Sequence, residues 1–263
     1  MRKKIGFALG AGGARGIAHI GFLQAMEENG IVPDCIAGSS MGSIIGACYA
    51  AGMKPEAMRQ TILGMKASTI VDLGLLPLSK NGVLKWDKVR AFLEKLVPAR
   101  TFSDLNIPLS CVSVDLRTGA LCSISEGNLW DAVLASGSIP VVFRPVETDG
   151  KLLVDGGVLC RVPVRQVKDM GADVTVAVDV IGGARPAEKI GNTIMLVLRT
   201  YDIMNGVMTQ RQKEECAEIC DLWLEPDMGD VPQYKMKYYQ EAYDAGYAAG
   251  TEHAEKIREL AGI

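Results

Sequence analysis

The serine with the clearest chemical context in this chain is Ser40, which stands in the pattern Gly38-x-Ser40-x-Gly42. A short apolar run precedes the pattern and a stretch of small and apolar residues follows it, which predicts a strand, an abrupt turn and a helix. The glycines permit the strained backbone of such a turn, because they carry no side chains that would collide across it. This spacing is typical of the nucleophile elbow of serine hydrolases, although turns rich in glycine and serine also occur without chemistry.

A serine hydroxyl is a weak nucleophile at neutral pH and needs a base within hydrogen-bonding distance. Histidine is the usual base, and the chain contains two, His19 and His253. His19 lies just beyond the first glycine-rich loop, on a predicted helix. His253 would complete the α/β-hydrolase order of serine, acid and histidine, but it lies between Glu252 and Glu255 in a stretch typical of an exposed helix.

Asp155 is the stronger candidate for the base. It stands at the end of a predicted strand, and Gly156 and Gly157 follow it and allow another backbone to come close. Aspartate has an unperturbed pKa of about 3.9 and is a poor base in water. Burial beside Ser40 would raise that pKa, so we predict a Ser40–Asp155 dyad. A plain Asp-Gly turn without a catalytic role is the alternative.

A second glycine-rich stretch, Gly10-Ala11-Gly12-Gly13-Ala14-Arg15-Gly16, joins the first predicted strand to a helix. The backbone N–H groups of such a loop point outward at a helix N-terminus and form an anion site. Dinucleotide sites also use this loop, but they need an acidic residue where the second strand ends, and here that strand ends in Gly38-Ser39-Ser40. We therefore interpret the loop as an oxyanion hole in which Gly12 and Gly13 donate. Arg15 either holds the loop, contacts an anionic head group, or is an exposed charge.

Strands alternate with helices along the whole chain, which predicts an α/β fold with a mostly parallel sheet covered on both faces. No repeat or linker interrupts the pattern, so a single domain over residues 1–263 is the simplest interpretation. The predicted strands cover residues 5–9, 35–37, 109–114, 120–124, 151–154, 174–178 and 219–224. The predicted helices begin near residue 17 and after residue 40, and cover residues 55–65, 87–96, 128–135, 190–216 and 235–260.

Three motifs in this order, the glycine-rich loop, the Ser40 elbow and Asp155-Gly156-Gly157, resemble the patatin-like phospholipases, and in particular small bacterial members. The likeness extends to Asp115-Leu116-Arg117-Thr118-Gly119 and Ala135-Ser136-Gly137-Ser138-Ile139-Pro140. It covers a core of about residues 5–180, and a C-terminal extension of about residues 181–263 follows. The resemblance implies a three-layer α/β/α fold and a lipid acyl hydrolase that uses a serine and an aspartate and needs no metal or cofactor.

By the same resemblance, Ser40 would be the nucleophile and Asp155 the base. The loop residues Gly12, Gly13 and Ala14 would hold the oxyanion, with Arg15 as the basic residue of the loop. Two positions depart from the family pattern. Ala11 replaces the first glycine of the usual triple, and Cys160-Arg161 stand where Asn-Pro is more usual, which affects the shape of the pocket and the preferred substrate.

Composition narrows the class of partner. The net charge is −3 over 263 residues, which gives no electrostatic basis for nucleic-acid binding. No window holds the roughly 18 uncharged apolar residues that a membrane span needs, and the apolar start is too short for a signal peptide. The seven scattered cysteines are typical of a reduced, cytoplasmic protein, so we expect neither disulfides nor a metal site.

Two functions are the main candidates after these exclusions, and a third, a nucleotide-binding protein, rests on the glycine-rich loop alone. The first is a serine esterase acting on phospholipids, lysophospholipids or related acyl esters. The second is a weakly active or inactive protein of the same fold that binds acyl ligands or regulates a partner. Transient contact with a membrane surface is left open and would use the apolar segment 70–78, which alternatively covers the core. The head group, the acyl chain and the oligomeric state are not readable from the sequence.

Overall fold

The computed structural model describes residues 2–64, 86–182, 190–233 and 236–263 of the chain. Segment 70–78, expected to contact a membrane surface or to cover the core, lies outside the described residues. The described strands are β1 (Ile5–Leu9), β2 (Cys35–Ser39), β3 (Leu109–Asp115), β4 (Leu121–Ile124), β5 (Val146–Thr148), β6 (Lys151–Asp155), β7 (Val174–Val178) and β8 (Leu222–Leu224).

The described helices are α1 (Ala18–Glu28), α2 (Met41–Ala50), α3 (Pro55–Leu63), α4 (Asp87–Leu96), α5 (Leu129–Ser136), α6 (Val164–Asp169), α7 (Thr193–Glu215) and α8 (Tyr239–Ala261). Short 3-10 helices occur at Gly13–Ile17, Phe102–Asp104, Gly156–Val158 and Met236–Tyr238.

The eight described strands form one sheet in the order β5-β6-β3-β2-β1-β7-β8, with β4 paired to β3 as a branch. The pairs β3–β2, β2–β1, β1–β7 and β7–β8 are parallel. The pairs that involve β4, β5 and β6 are antiparallel, and β3–β4 and β5–β6 are hairpins. The prediction of a mostly parallel sheet is confirmed.

Successive residues of a strand point to opposite faces, and this alternation divides the core into two layers. On β1, Phe7 belongs to the larger core, which also contains residues of α1 to α5 and α8. The neighbouring Ala8 belongs to a smaller core on the other face, formed with α6 and with Cys216 after α7. All five residues of β1 are buried, as expected for a central strand covered on both faces. The three-layer α/β/α arrangement is therefore confirmed.

The register on β3 brings two distant parts of the chain together. Val112 pairs with Ser39 of β2 and Ser113 pairs with Asp155 of β6. Both Val112 and Ser113 also pair with β4, which occupies the opposite edge of β3. Strands β2 and β6 therefore meet end to end along the same edge, with their final residues against consecutive positions of β3.

Element boundaries differ from the sequence prediction mainly in the last third. The long helix predicted over residues 190–216 begins at Thr193, because the Asn192 side chain caps it by accepting a hydrogen bond from the Met195 amide at 2.9 Å. The last predicted strand is limited to Leu222–Leu224, the residues that pair with β7. Strand β1, helix α4 and the β3–β4 hairpin occur where the sequence predicts them.

The C-terminal helix α8 packs directly against α1 through glycines. A methyl group on Gly246 would collide with the Ala18 carbonyl, and one on Gly21 would collide with the Tyr243 carbonyl. The absence of side chains here lets the two backbones approach more closely than ordinary helix pairs do. The helix that closes the chain is thereby part of the larger core.

This contact predicts that Gly246→Ala destabilises the fold. Alanine favours a helix over glycine by about 1 kcal/mol, but the collision with α1 outweighs that gain. We expect the free energy of unfolding to fall by about 2 kcal/mol, measured by urea denaturation. Gly191→Ala is the matched control, because nothing lies within 4 Å of the added methyl group. Equal stability of the two variants would contradict the close packing of α1 and α8.

Candidate active site

Ser40 lies at the turn between β2 and α2 with φ 53° and ψ −122°. Positive φ is uncommon for a residue other than glycine and signals local strain. The flanking glycines are required sterically. A methyl group on Gly42 would collide with the Leu9 carbonyl, and one on Gly38 would lie 2.5 Å from Cα of Ser43. The G-x-S-x-G spacing thus corresponds to a tight turn packed against β1.

A second serine holds the backbone of this turn. The Ser40 amide donates to Oγ of Ser136 at 3.0 Å, and the Ser136 hydroxyl lies 2.8 Å from Oγ of Ser43. All three serines are buried. Ser136, at the end of α5, therefore compensates a backbone N–H that would otherwise be buried without a partner.

Asp155 lies beside Ser40, in the place that the β3 register gives it. The Ser40 hydroxyl donates to Oδ2 of Asp155 at 2.6 Å, and the Gly157 amide donates to Oδ1 at 2.7 Å. Each carboxylate oxygen therefore has one defined partner. The chain can turn sharply after the carboxylate because Gly156 has no side chain to collide with the Val112 carbonyl.

Burial raises the pKa of Asp155 from 3.8 to about 6. The hydrogen bonds from Ser40 and Gly157, and the positive charge of Arg161, lower the pKa but do not cancel the effect of burial. Asp155 is 2% exposed and Ser40 is 5% exposed. The carboxyl is thus a stronger base than an exposed aspartate and still ionised above pH 6.

Neither histidine contacts this pair. His19 is fully buried, and its Nε2 lies 2.7 Å from the Gly10 carbonyl. A carbonyl only accepts hydrogen bonds, so Nε2 must carry the proton, and burial lowers the pKa of His19 to about 4, which keeps the ring neutral. His253 bonds within its own helix, to the Ala249 carbonyl. His19 therefore holds Gly10, the first residue of the glycine-rich loop, in place through this hydrogen bond.

The glycine-rich loop lies over the same cavity. Gly12 and Gly13 line it together with Ser40 and Asp155. The amides of Ala14 and Arg15 are already used, since they donate to the Gln233 carbonyl at 2.8 Å and to the Gly12 carbonyl at 3.1 Å.

The side chain of Arg15 is buried and bound to the protein itself. Its Nε donates to the Val231 carbonyl at 2.7 Å, and its Nη1 donates to the Ile181 carbonyl at 3.2 Å. Of the roles considered for Arg15, this geometry matches holding the loop. The exposed-charge interpretation of this residue is wrong.

Several residues of the cavity could not be predicted from motifs. Tyr201 of α7 and Gln233 come from the C-terminal part of the chain, and Arg161 comes from the segment before α6. These residues lie far from Ser40 and Asp155 in sequence or outside any recognisable pattern. Arg161 had one signal, since it falls at a position where the sequence departs from the family pattern.

Within the described ranges, no group of three or more histidine, cysteine, aspartate or glutamate side chains is placed to hold a metal ion. The same ranges contain no helix that is both long and apolar enough to cross a bilayer.

Comparisons with known proteins identify the family of the chain. A family model described as patatin-like phospholipase matches residues 7–168, which is more than half of the chain. The chain belongs to the patatin-like phospholipase family. The resemblance inferred from the three motifs is thereby confirmed, and membership supports a lipid ester hydrolase.

Two relatives in sequence carry related names. An uncharacterised NTE family protein of Mycobacterium tuberculosis is 38% identical over 189 residues, which cover 70% of this chain and 52% of that protein. A lysophospholipase of Neurospora crassa is 26% identical over 283 residues, covering 98% of this chain and 18% of that protein. The chain thus spans about half the length of the first relative and a smaller share of the second.

Among solved structures, VipD from Legionella pneumophila is similar with a TM-score of 0.56 and 15% sequence identity. The match covers 97% of this chain and 67% of that one. At this level of identity the likeness shows a shared fold.

The raised pKa of Asp155 predicts that Asp155→Asn stabilises the protein at pH 8. The folded state binds the Asp155 proton more tightly than the unfolded chain does, so this carboxyl favours folding in acid and loses that contribution as pH rises through about 6. We expect the melting temperature of the variant to exceed that of the wild type by roughly 3–6 °C at pH 8 and to match it at pH 4.

The measurement is calorimetry across pH 4 to 8. The control is Asp149→Asn, the same substitution at an exposed turn residue that does not line the cavity, and its melting temperature is compared with that of the wild type at the same pH values. A wild type that is more stable than Asp155→Asn at every pH would show that burial does not destabilise the charged carboxylate.

Proposed function

We propose that the protein is a lipid acyl hydrolase in which Ser40 is the nucleophile and Asp155 the general base. The observation that carries the proposal is the 2.6 Å hydrogen bond from the Ser40 hydroxyl to a buried carboxylate with a raised pKa. Family membership supports the class of reaction, and the lysophospholipase name of one relative supports acyl lipids as the class of substrate.

In the first half of the reaction, Oγ of Ser40 attacks the acyl carbonyl carbon while Oδ2 of Asp155 takes the hydroxyl proton. The tetrahedral intermediate collapses when the ester C–O bond breaks, and the departing alcohol takes that proton from Asp155. The product of this half is an acyl ester on Ser40. The Gly157 amide keeps the carboxylate oriented throughout, because it holds Oδ1 while Oδ2 exchanges the proton.

The negative charge that develops on the carbonyl oxygen needs donors fixed in advance. We assign this role to the amides of Gly12 and Gly13, since those of Ala14 and Arg15 are already bound. One such donor is typically worth about 3 kcal/mol of transition-state stabilisation. The His19 contact to the Gly10 carbonyl and the two Arg15 bonds keep the loop in place.

In the second half, Asp155 takes a proton from a water molecule, and the resulting hydroxide attacks the acyl carbon. Collapse of this intermediate breaks the bond to Oγ of Ser40 and returns the proton to that oxygen. The fatty acid leaves and the dyad is restored. The same two side chains and the same loop thus serve both halves.

An apolar cleft next to the elbow supports a substrate whose acyl group, the group transferred to Ser40, carries a long alkyl chain. Its lining includes Met41, the residue after Ser40, and continues along Ile44, Cys48 and Phe92 to Leu96. Most side chains of this cleft come from α2, α3 and α4, and they are almost entirely apolar. Burying an alkyl chain against such a surface contributes about 0.8 kcal/mol for each methylene group.

The proposed reaction predicts that two substitutions lower ester turnover for different reasons. Ser40→Ala removes the nucleophile, and Asp155→Asn places an amide beside the serine that donates to Oγ and takes no proton. We expect both to lower kcat/KM for p-nitrophenyl esters and lysophosphatidylcholine by roughly 1000-fold or more.

A fluorophosphonate probe should label wild-type Ser40 and leave Ser40→Ala unlabelled. Ser103→Ala is the control, since this serine is exposed on a short 3-10 helix away from the cavity. Equal ester turnover by wild type and both variants would contradict the dyad. Intact, folded protein that neither turns over esters nor reacts with the probe would favour the inactive, ligand-binding alternative.

We also propose that helix α7 contacts the membrane surface on which phospholipid substrates reside. Its N-terminal part presents exposed apolar side chains on a face where a surface helix is ordinarily polar, and these include Leu196, Ile203, Met204 and Val207. The same helix contributes Tyr201 to the catalytic cavity, so this face lies beside the site where a lipid would enter.

This surface predicts that the double variant Ile203→Gln, Val207→Gln loses affinity for phosphatidylcholine vesicles by about 10-fold, because two apolar side chains no longer enter the lipid. Co-sedimentation measures the binding. Val32→Gln is the matched control, as Val32 is similarly exposed but lies between α1 and β2. Unchanged binding by the double variant would exclude α7 as the contact.

A further inference from the structure

The cavity of Ser40 and Asp155 also contains a buried positive charge, the guanidinium of Arg161. The residue is 3% exposed and lines the cavity. Its backbone carbonyl accepts a hydrogen bond from the Ala11 amide at 2.8 Å, which ties it to the glycine-rich loop. Nη1 of Arg161 is buried, and no residue in the described ranges accepts a hydrogen bond from it.

The carboxylates near Arg161 do not neutralise it by direct contact. Asp155 is bound by Ser40 and Gly157, and Oδ1 of Asp179 accepts from the amides of Ile181 and Gly182. None of the ion pairs between described residues includes Arg161. Its charge lowers the pKa of both aspartates from a distance, against the larger effect of burial.

An arginine carries five donors and remains charged, so burying it with an unused donor is unfavourable unless a ligand completes the site. We infer that Arg161 binds an anionic group of the substrate, the phosphate of a lysophospholipid or phospholipid whose ester lies at Ser40. This inference rests on the proposed function and adds a specificity-determining residue to it.

Phosphate fits the site better than the reaction's own oxyanion does. A guanidinium presents a planar fork that bonds two oxygens of one group at once, as phosphate offers and a single oxyanion does not. The oxyanion is already assigned to the amides of Gly12 and Gly13, and it exists only transiently. A phosphate is negatively charged in the bound substrate from the start, and so can satisfy the buried donor.

The arrangement of groups in a lysophospholipid matches the arrangement of the cavity and the apolar cleft. Its ester and its phosphate are attached to the same glycerol unit, only a few bonds apart, while its alkyl chain extends the other way. In the structure, Arg161 shares the small cavity with Ser40, and the apolar cleft begins at the next residue, Met41. A head group held by Arg161 and a chain in the cleft would place the ester between them.

The test compares two esters with the same acyl chain, lysophosphatidylcholine and monoacylglycerol, which differ in the phosphocholine group. Removing Arg161 also removes a charge that acts on Asp155, so both rates will change through the base. The ratio of the two kcat/KM values cancels that shared effect and reports the contact to the phosphate-bearing head group.

We expect Arg161→Gln to lower the ratio, lysophosphatidylcholine over monoacylglycerol, by about 10- to 100-fold. Arg161→Lys keeps the charge but loses the fork, and should lower the ratio by a smaller factor; it also serves if the glutamine variant does not fold. Arg165→Gln is the matched control, because it removes the same charge four residues away at an exposed position outside the cavity. An unchanged ratio in Arg161→Gln and Arg161→Lys would overturn the inference.

A binding measurement separates this inference from the proposed reaction. An ether analogue of lysophosphatidylcholine has the phosphate and the alkyl chain but no ester, so its binding does not depend on catalysis by Ser40. Calorimetry should show binding to wild type and Arg165→Gln, and at least tenfold weaker binding to Arg161→Gln.

The outcomes of the two measurements are distinct. If the wild type binds the ether lipid through Arg161 but hydrolyses neither ester, the proposed function fails and the anion site stands. If the wild type hydrolyses both esters and Arg161→Gln binds the ether lipid as tightly as wild type, the anion site fails and the proposed function stands.

Discussion

The proposed catalytic arrangement depends on the end-to-end meeting of two strands along one edge of β3. Strand β2 arrives parallel to β3 and ends at Ser39, while β6 arrives antiparallel and ends at Asp155. Their final residues pair with the neighbouring positions Val112 and Ser113. Because main-chain hydrogen bonds fix this register, the elbow serine and the aspartate meet without a long flexible connection, and a shift of either strand would separate them.

Burial of Asp155 makes it a better base but lowers the stability of the folded protein. Removing Asp155 from water raises its pKa and makes it a better base, and the same desolvation makes its ionised form unfavourable in the folded protein. The strained backbone of Ser40 adds a second local cost. The large core on one face of the sheet and the close packing of α1 against α8 supply stability that offsets these local costs.

Three kinds of group would recognise different parts of the substrate. The backbone amides of the glycine-rich loop are suited to a transient oxyanion, the guanidinium of Arg161 to a permanent anion, and the apolar cleft beyond Met41 to an alkyl chain. In the proposed function these three regions surround one ester. Helix α7 carries the exposed apolar face and also contributes Tyr201 to the lining of the cavity. The proposed membrane contact and the proposed active site therefore share this helix.

Sequence patterns were sufficient to predict the features that depend on neighbouring residues: the glycines around Ser40, the Asp-Gly-Gly turn at Asp155, the alternation of strands and helices, and from these the family. Glycine spacing and hydrophobic periodicity are local properties, so they can be read directly. Which distant groups meet is known only from the three-dimensional fold. The retention of Arg15 by two backbone carbonyls, the contact of Ser136 with the Ser40 amide and the entry of Arg161 into the cavity all join segments that are far apart in the chain. Such contacts arise from packing and strand register, which no local pattern encodes.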